Sequence, residues 1–223
     1  MTTPNFEAAR VAMVDTQVRP SDVTLYPIIA AMLDVPRERF VPTDLRGVAY
    51  AGAHLPLARE RVLLDPRVLA KMLDALKPEP TDLVLDIAPG TGYSTALLAR
   101  LAAAVVAVEP DPDLARSAIE TLAALDEDTA LLQEGDAAAG APEAGPFDAV
   151  FINGAIETLP DQIAAQVKPG GRIVAIFQDG AAGQCRLGTR TGDGSRAGIA
   201  WKTMFDATAP VLSGYEKPGD FVF

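Results

Sequence analysis

The sequence predicts an α/β fold, with a doubly wound and mainly parallel sheet that is covered by helices. Two observations support this prediction. Short apolar runs typical of buried strands alternate with stretches of helical periodicity through the middle of the chain. The residues before this region repeat apolar side chains at helical spacing, and those after it favour strands. We therefore expect an N-terminal helical segment and C-terminal antiparallel strands around the parallel core.

The N-terminal region is predicted to be helical up to about residue 50. Ser21 and Asp22 can cap a helix, apolar residues follow at helical spacing, and Pro36 ends the pattern. Residues 50–66 show no clean periodicity, so we expect a loop there.

The core elements follow in alternating order. Asp65 and Pro66 are the predicted N-cap and first residue of a helix that closes at Lys77. Strands are predicted at 83–87, 105–108, 130–133, 149–152 and 172–177, and further helices at 93–102, from Pro112, and at 156–167. Residues 136–146 are predicted to be a loop, 188–198 a hairpin turn, and 199–223 mainly strand.

Composition excludes several classes of function. The chain has 223 residues and a formal net charge of −11, which disfavours nucleic acid and anionic membranes as partners. It has one cysteine, Cys185, and one histidine, His54, so we expect no disulfide, no Cys/His metal site and no Cys–His nucleophile. Met1–Arg10 has no apolar signal-peptide core, and we expect a cytoplasmic protein.

Four features are placed where a nucleoside cofactor would bind. A glycine-containing turn at 86–92 joins a strand to a helix, and Glu109 ends the next strand, where it can accept both ribose hydroxyls. Residues 135–137 follow the third strand near a base edge, and the segment 147–153 ends the fourth. The predicted cofactor-binding residues are Asp86, Ala88, Gly90, Gly92, Glu109, Asp136, Ala137 and Asn153.

The turn favours S-adenosylmethionine over other nucleotides. A dinucleotide-binding turn needs a third glycine for packing around a pyrophosphate, and Thr95 stands at that place. The Asp86 carboxylate suits the ammonium of a methionine moiety better than a phosphate. No Walker-type loop is present, so ATP chemistry is not expected.

Several motifs resemble the protein-L-isoaspartate O-methyltransferase family along nearly the whole chain. The most discriminating is the run Val-Pro-Arg-Glu-Arg-Phe at 35–40. Other matching segments are 13–19, Ala49-Tyr50, Leu55-Pro56-Leu57, 84–87 with 90–93, 146–148 and 168–171. The resemblance implies a methyltransferase that transfers a methyl group to a carboxylate, with a damaged protein or peptide as acceptor. It also implies a single domain over 1–223, divided into an N-terminal helical and acceptor-loop segment at 1–65, a cofactor-binding core at 66–180 and C-terminal strands at 181–223.

The acceptor loop departs from that family's Gly-x-Thr-x-Ser-x-Pro pattern. Val62 and Leu64 stand at the Thr and Ser positions, and neither can donate a hydrogen bond to a carboxylate. Arg59 or Arg61 could supply a bidentate contact instead, so Arg61, Val62 and Leu64 are the acceptor-loop candidates. Three functions remain open: a carboxyl methyltransferase with a rebuilt acceptor site, a cofactor-binding regulatory protein, and a methyltransferase whose small acceptor packs on apolar residues 62–64.

Overall fold

A computed structural model describes residues 5–192 and 198–217. Its N-terminal region is helical, as predicted, with α1 at Phe6–Met13, a π-helical turn at Val14–Val18, 3₁₀ turns at Arg19–Ser21, Arg37–Phe40 and Thr43–Val48, and α2 at Tyr26–Asp34. The prediction that Ser21 and Asp22 cap α2 is wrong. Asp22 adopts a left-handed conformation with φ of 65°, and α2 begins four residues later, with a proline in its first turn.

Residues 50–66 contain a β-hairpin where a loop was expected. Strands β1 (Leu55–Ala58) and β2 (Arg61–Leu63) pair with each other as a separate two-stranded sheet. The strands are too short to show a periodicity in the sequence. The turn at the tip of the hairpin contains Glu60, whose φ is 56°.

The main sheet has seven strands in the order β5-β4-β3-β6-β7-β8-β9. They span β3 Leu83–Ile87, β4 Ala104–Glu109, β5 Ala130–Glu134, β6 Phe147–Ile156, β7 Val167–Asp179, β8 Ala182–Arg190 and β9 Ile199–Asp206. The pairs among β5, β4, β3, β6 and β7 are parallel, whereas the β7–β8 and β8–β9 pairs are antiparallel. This arrangement confirms the predicted doubly wound sheet and the C-terminal antiparallel strands.

The remaining helices are α3 Pro66–Leu76, α4 Tyr93–Ala99, α5 Pro112–Ala123 and α6 Asp161–Ala165. The prediction of a helix over 156–167 is wrong at both ends, because Ile156 completes β6 and Val167 begins β7. Within the described C-terminal part, strand structure ends with β9 at Asp206, apart from a bridge at Val211. In the predicted turn at 188–198, residues 188–190 belong to β8, and residues 193–197 lie outside the described residues. Residues 218–223, which were predicted to be mainly strand, lie outside them as well.

Neighbouring residues of each strand contribute to opposite faces of the sheet. In β6, Ala149 and Phe151 belong to the core under α2 to α5, while Val150 and Ile152 belong to the core on the side of α6. The chain winds outward from β3 to β5 and then returns to β6 on the other side of β3. A crevice therefore forms at the carboxyl ends of β3 and β6, where the winding direction reverses. Across 5–192 and 198–217, no helix is long and apolar enough to cross a bilayer.

Candidate functional site

The turn after β3 has an unusual backbone conformation. Ala88, Gly90 and Gly92 have φ values of 55°, 65° and 93°, and Gly92 is the N-cap of α4. Glycine adopts this left-handed region without steric cost, whereas alanine does not. At Gly90 an added Cβ would lie 2.6 Å from Leu57 Cδ1 of the hairpin. The turn therefore places glycine backbone at the carboxyl edge of the sheet, in contact with Leu57 of the hairpin.

Asp86, at the end of β3, is fully buried and surrounded by hydrogen-bond donors. Ser94 and Thr95 each donate a hydroxyl to its Oδ2 at 2.8 Å, and the Asn153 amide donates to its Oδ1 at 2.6 Å. Burial raises the pKa of Asp86 to about 7, although these donors favour the charged form. The contacts join β3 to the start of α4 and the end of β6. Asp86 and Asn153 thus stabilise the turn from its buried side. The hydroxyl of Thr95, at the position where a dinucleotide-binding turn has its third glycine, belongs to the same network.

Glu109, at the end of β4, meets the turn directly. Its carboxylate is fully buried and accepts the backbone N–H of Gly90 at 2.7 Å and that of Asp111 at 3.0 Å. The backbone N–H of Ala88 donates to the carbonyl of Val108 at 2.8 Å. These bonds bring the two predicted elements of the site together.

The segment after β5 adjoins the same carboxylate. Gly135 donates its N–H to the backbone carbonyl of Glu109 at 3.1 Å. Asp136 is exposed and accepts the N–H of Ala138, while Ala137 is buried and its carbonyl accepts the hydroxyl of Tyr215 at 2.8 Å. The turn at 88–92, Glu109 and residues 135–137 therefore form one contiguous edge.

Arg61 of the hairpin contacts this edge, and the sequence reasoning did not foresee it. Its Nη1 lies 2.5 Å from Glu109 Oε1, and its Nη2 donates to Glu109 Oε2 and to the Ala88 carbonyl, both at 2.8 Å. The pair is bidentate, and 12% of the Arg61 side chain remains exposed. Arg61 thus binds both carboxylate oxygens that were predicted to receive the ribose. A contact across 48 residues has no local signal in the sequence.

The other acceptor-loop candidates differ in burial. Leu63 and Leu64 are buried in the hydrophobic core, with 4% and 1% of their surface exposed, and Val62 is partly buried against it. Leu63 and Leu64 are therefore part of the core and do not face an acceptor, so the interpretation of residues 62–64 as an apolar acceptor pocket stays a prediction for Val62 alone. Arg59 points into solvent at the hairpin tip, with 93% of its side chain exposed, and forms an ion pair with Glu60.

A cavity of about 650 Å³ lies at the base of the hairpin, beside the carboxyl end of β7. His54 joins the two sides of that base. Its Nδ1 accepts the N–H of Asp65 at 2.8 Å, so its Nε2 is the protonated nitrogen and donates to the Thr208 carbonyl at 2.9 Å. Arg67 and Arg186 line the cavity together with Asp65, Asp179 and Asp206, and the Arg186 guanidinium lies 4.8 Å from the Phe177 ring centroid.

The described residues hold no cluster of three or more His, Cys, Asp or Glu side chains suited to a metal ion. Cys185 is buried, and burial raises the pKa of its thiol.

Comparisons with known proteins agree with this geometry. The profile of the family described as Protein-L-isoaspartate(D-aspartate) O-methyltransferase (PCMT) matches residues 11–204. A Protein-L-isoaspartate O-methyltransferase of Methylorubrum extorquens (strain PA1) is 41% identical over 77% of this chain and 75% of its own length. One of Pelotomaculum thermopropionicum is 35% identical over 78% of this chain and 76% of its own length.

Two solved structures share the fold. One, a protein-L-isoaspartate O-methyltransferase, has a TM-score of 0.79 at 21% identity and covers 92% of this chain, which in turn covers 66% of it. The other is described as a beta-aspartate methyltransferase (PCMT) from Plasmodium falciparum in complex with S-adenosyl-L-homocysteine. It has a TM-score of 0.76 at 16% identity, with 95% of this chain and 99% of that chain covered.

Proposed function

Because this chain belongs to the protein-L-isoaspartate(D-aspartate) O-methyltransferase family, we propose that it transfers the methyl group of S-adenosylmethionine to a carboxylate through a rebuilt acceptor site. The observation that carries the proposal is the contiguous edge formed by three segments after β3, β4 and β5. Gly90 bonds to the Glu109 carboxylate, and Gly135 bonds to the Glu109 backbone. A nucleoside needs glycine backbone, a diol acceptor and a base edge side by side, and this edge brings the three together beneath the hairpin.

The residue set fits the cofactor, and each residue has a proposed part. Glu109 accepts the ribose hydroxyls, Gly90 lets the ligand approach the backbone, and Asp136 with Ala137 meets the base. Asp86 and Asn153 act from behind the turn, since all three side-chain donors around Asp86 are internal. The fit has two conditions: the Arg61 guanidinium must leave Glu109 before the ribose can bind there, and Leu57 must move away from Gly90.

The proposed reaction requires little acid–base catalysis from this chain. S-adenosylmethionine supplies an electrophilic methyl group on a sulfonium. A carboxylate acceptor has a pKa of about 4 and is already ionised at neutral pH, so no general base is needed. The protein contributes alignment of the acceptor oxygen with the methyl group and exclusion of water. A chain with a single histidine, engaged in the base of the hairpin, is consistent with such a reaction.

The acceptor carboxylate needs donors, and the hairpin residues at 62 and 64 supply none. We assign this part to Arg67 and Arg186, which line the cavity at the hairpin base and could bind a carboxylate of a protein or peptide there, beside Asp65, Asp179 and Asp206. Arg67 is exposed in the first turn of α3, and Arg186 is held in place by its stacking on Phe177. Guanidinium groups bind carboxylates with matched bidentate geometry, which two hydroxyls would otherwise have to provide.

Radiolabelled methyl transfer tests the proposal. We expect label on a peptide that contains one isoaspartyl residue and none on the matched aspartyl peptide. We also expect Arg186→Gln to raise KM for the peptide while leaving the affinity for S-adenosylhomocysteine unchanged. Absence of label under conditions where the cofactor binds would exclude an isoaspartyl acceptor.

A second candidate function is a cofactor-binding regulatory protein without transferase activity. The ion pair between Arg61 and Glu109 favours it, because the site as it stands is closed to ribose. The two candidates differ in one result: tight binding of S-adenosylhomocysteine with no labelled acceptor in a cell extract supports the regulatory protein.

We further propose that residues 1–65 serve the acceptor side, 66–180 bind the cofactor and 181–223 complete one domain, and that the protein works in the cytoplasm. The continuous sheet that runs from β5 to β9 supports the single domain. Limited proteolysis tests it, since two independent units would be cut between them at a common site.

A further inference from the structure

Residues 55–63 form a hairpin that stands over the proposed cofactor site. We propose that this hairpin is a self-inhibitory strap, in which the Arg61 guanidinium competes with the cofactor's ribose for the Glu109 carboxylate. The inference rests on the proposed function and concerns the regulation of the same site.

The first argument is the chemistry of the contact. A ribose diol presents two adjacent hydroxyl donors, and Arg61 presents two parallel N–H donors to the same two oxygens, at 2.5 and 2.8 Å. The Glu109 carboxylate cannot remain both buried and unpaired without a large energetic cost. It keeps the N–H groups of Gly90 and Asp111 in either state, so the exchange concerns Arg61 alone.

The second argument is that the hairpin covers the turn at two points. Arg61 also binds the Ala88 carbonyl, and Leu57 packs on Gly90, where a Cβ would collide with it at 2.6 Å. The backbone that must be bare for a ligand to approach is therefore covered by a leucine side chain. One residue of each strand of the hairpin thus occupies a different part of the same crevice.

The third argument is that the tip of the hairpin can move while its base stays fixed. Among residues 5–192 and 198–217, strands β1 and β2 pair only with each other, and a two-stranded hairpin is marginally stable by itself. The base is held by buried Leu55 and Leu63 and by the His54 bridge between Asp65 and Thr208. Opening the tip therefore breaks side-chain contacts and leaves the main sheet intact.

The fourth argument is charge balance. Removing Arg61 from Glu109 takes a positive charge out of a buried site, and S-adenosylmethionine brings one in on its sulfonium. A closed state that competes with ligand weakens the apparent affinity by the fraction of molecules that are open. The strap would make the protein respond to the concentration of cofactor, and to any partner that draws the hairpin tip away.

Calorimetric titration with S-adenosylhomocysteine tests the strap. We expect Arg61→Ala to bind about 10- to 100-fold more tightly than the wild type, because the closed state that competes with the ligand loses its ion pair. Arg59→Ala is the matched control: it makes the same change of charge on the same hairpin, at a side chain that is 93% exposed. We expect it to leave the affinity unchanged.

Should Arg61→Ala fail to fold because the buried Glu109 carboxylate loses its counter-ion, Leu57→Ala decides the question. It removes the contact with Gly90 and keeps the ion pair, and we expect a gain in affinity of several fold. Equal affinity in the wild type and the tested strap variant overturns the strap and leaves the proposed function standing. An equal gain in Arg59→Ala also overturns the strap, and no binding in any variant at millimolar ligand overturns both proposals.

Discussion

Asp86 and Glu109 end neighbouring parallel strands, and both carboxyl groups are completely buried. Their hydrogen-bond partners differ. Glu109 faces a guanidinium, whereas Asp86 faces two hydroxyl groups and an amide. Burial raises the pKa of Asp86 to about 7, and the neutral donors around it offset this effect only in part.

The raised pKa of Asp86 predicts that the stability of the protein depends on pH. The pKa of Asp86 is higher in the folded state than its usual value of 3.8. Such an acid contributes its full stabilisation of the fold below pH 3.8, and this stabilisation is lost as the pH rises toward about 7. The stability of the wild type relative to Asp86→Asn should therefore fall between about pH 4 and pH 7, by up to about 4 kcal/mol. Urea unfolding of both proteins at several pH values measures it. A constant difference would show that Asp86 titrates normally.

Ala88 is a second residue with a testable consequence. Its φ of 55° lies in the left-handed region, which is unfavourable for a residue with a Cβ. We expect Ala88→Gly to stabilise the protein by about 1 kcal/mol, because relief of this strain exceeds the added entropy of the unfolded chain. A rise in the urea midpoint, with an unchanged slope, checks the prediction. A fall would mean that the alanine methyl packs favourably.

At the scale of elements, the hairpin 55–63 is where the sequence was least informative. The strand and helix periods of the core run over five or more residues, but β1 and β2 have four and three. Asp65 and Lys77 behaved as predicted, because a helix cap acts locally: Asp65 accepts the N–H of Arg67, and Lys77 ends α3 in a left-handed conformation. The hairpin covers the carboxyl edge of the sheet because Arg61 reaches Glu109. No local sequence pattern encodes such a distant contact.

The hairpin also predicts what happens when the family's hydroxyls are restored at 62 and 64. Leu64 is 1% exposed, so Leu64→Ser should cost about 3 kcal/mol of stability. Val62 is only partly buried, and Val62→Thr should cost less than about 1 kcal/mol. Thermal unfolding of the two single variants separates them. Similar costs at both sites would place Val62 in the core beside Leu64.

At the scale of the whole molecule, the order of elements was readable because alternation of strand and helix constrains a parallel sheet strongly. It placed the turn at 88–92, Glu109 and residues 135–137 at one edge, and the bonds of Gly90 and Gly135 to Glu109 show that they meet there. The sequence did not indicate whether that edge is open or covered. Whether a crevice is open or covered depends on side-chain packing from a separate element, here Leu57 and Arg61.

The central claim is that this edge binds the nucleoside of S-adenosylmethionine through Glu109. A crystal structure grown with S-adenosylhomocysteine tests it most directly. We predict both ribose hydroxyls at about 2.7 Å from the Glu109 carboxylate oxygens, with Arg61 displaced from them. The claim is contradicted if the ligand is bound elsewhere while Arg61 still holds Glu109.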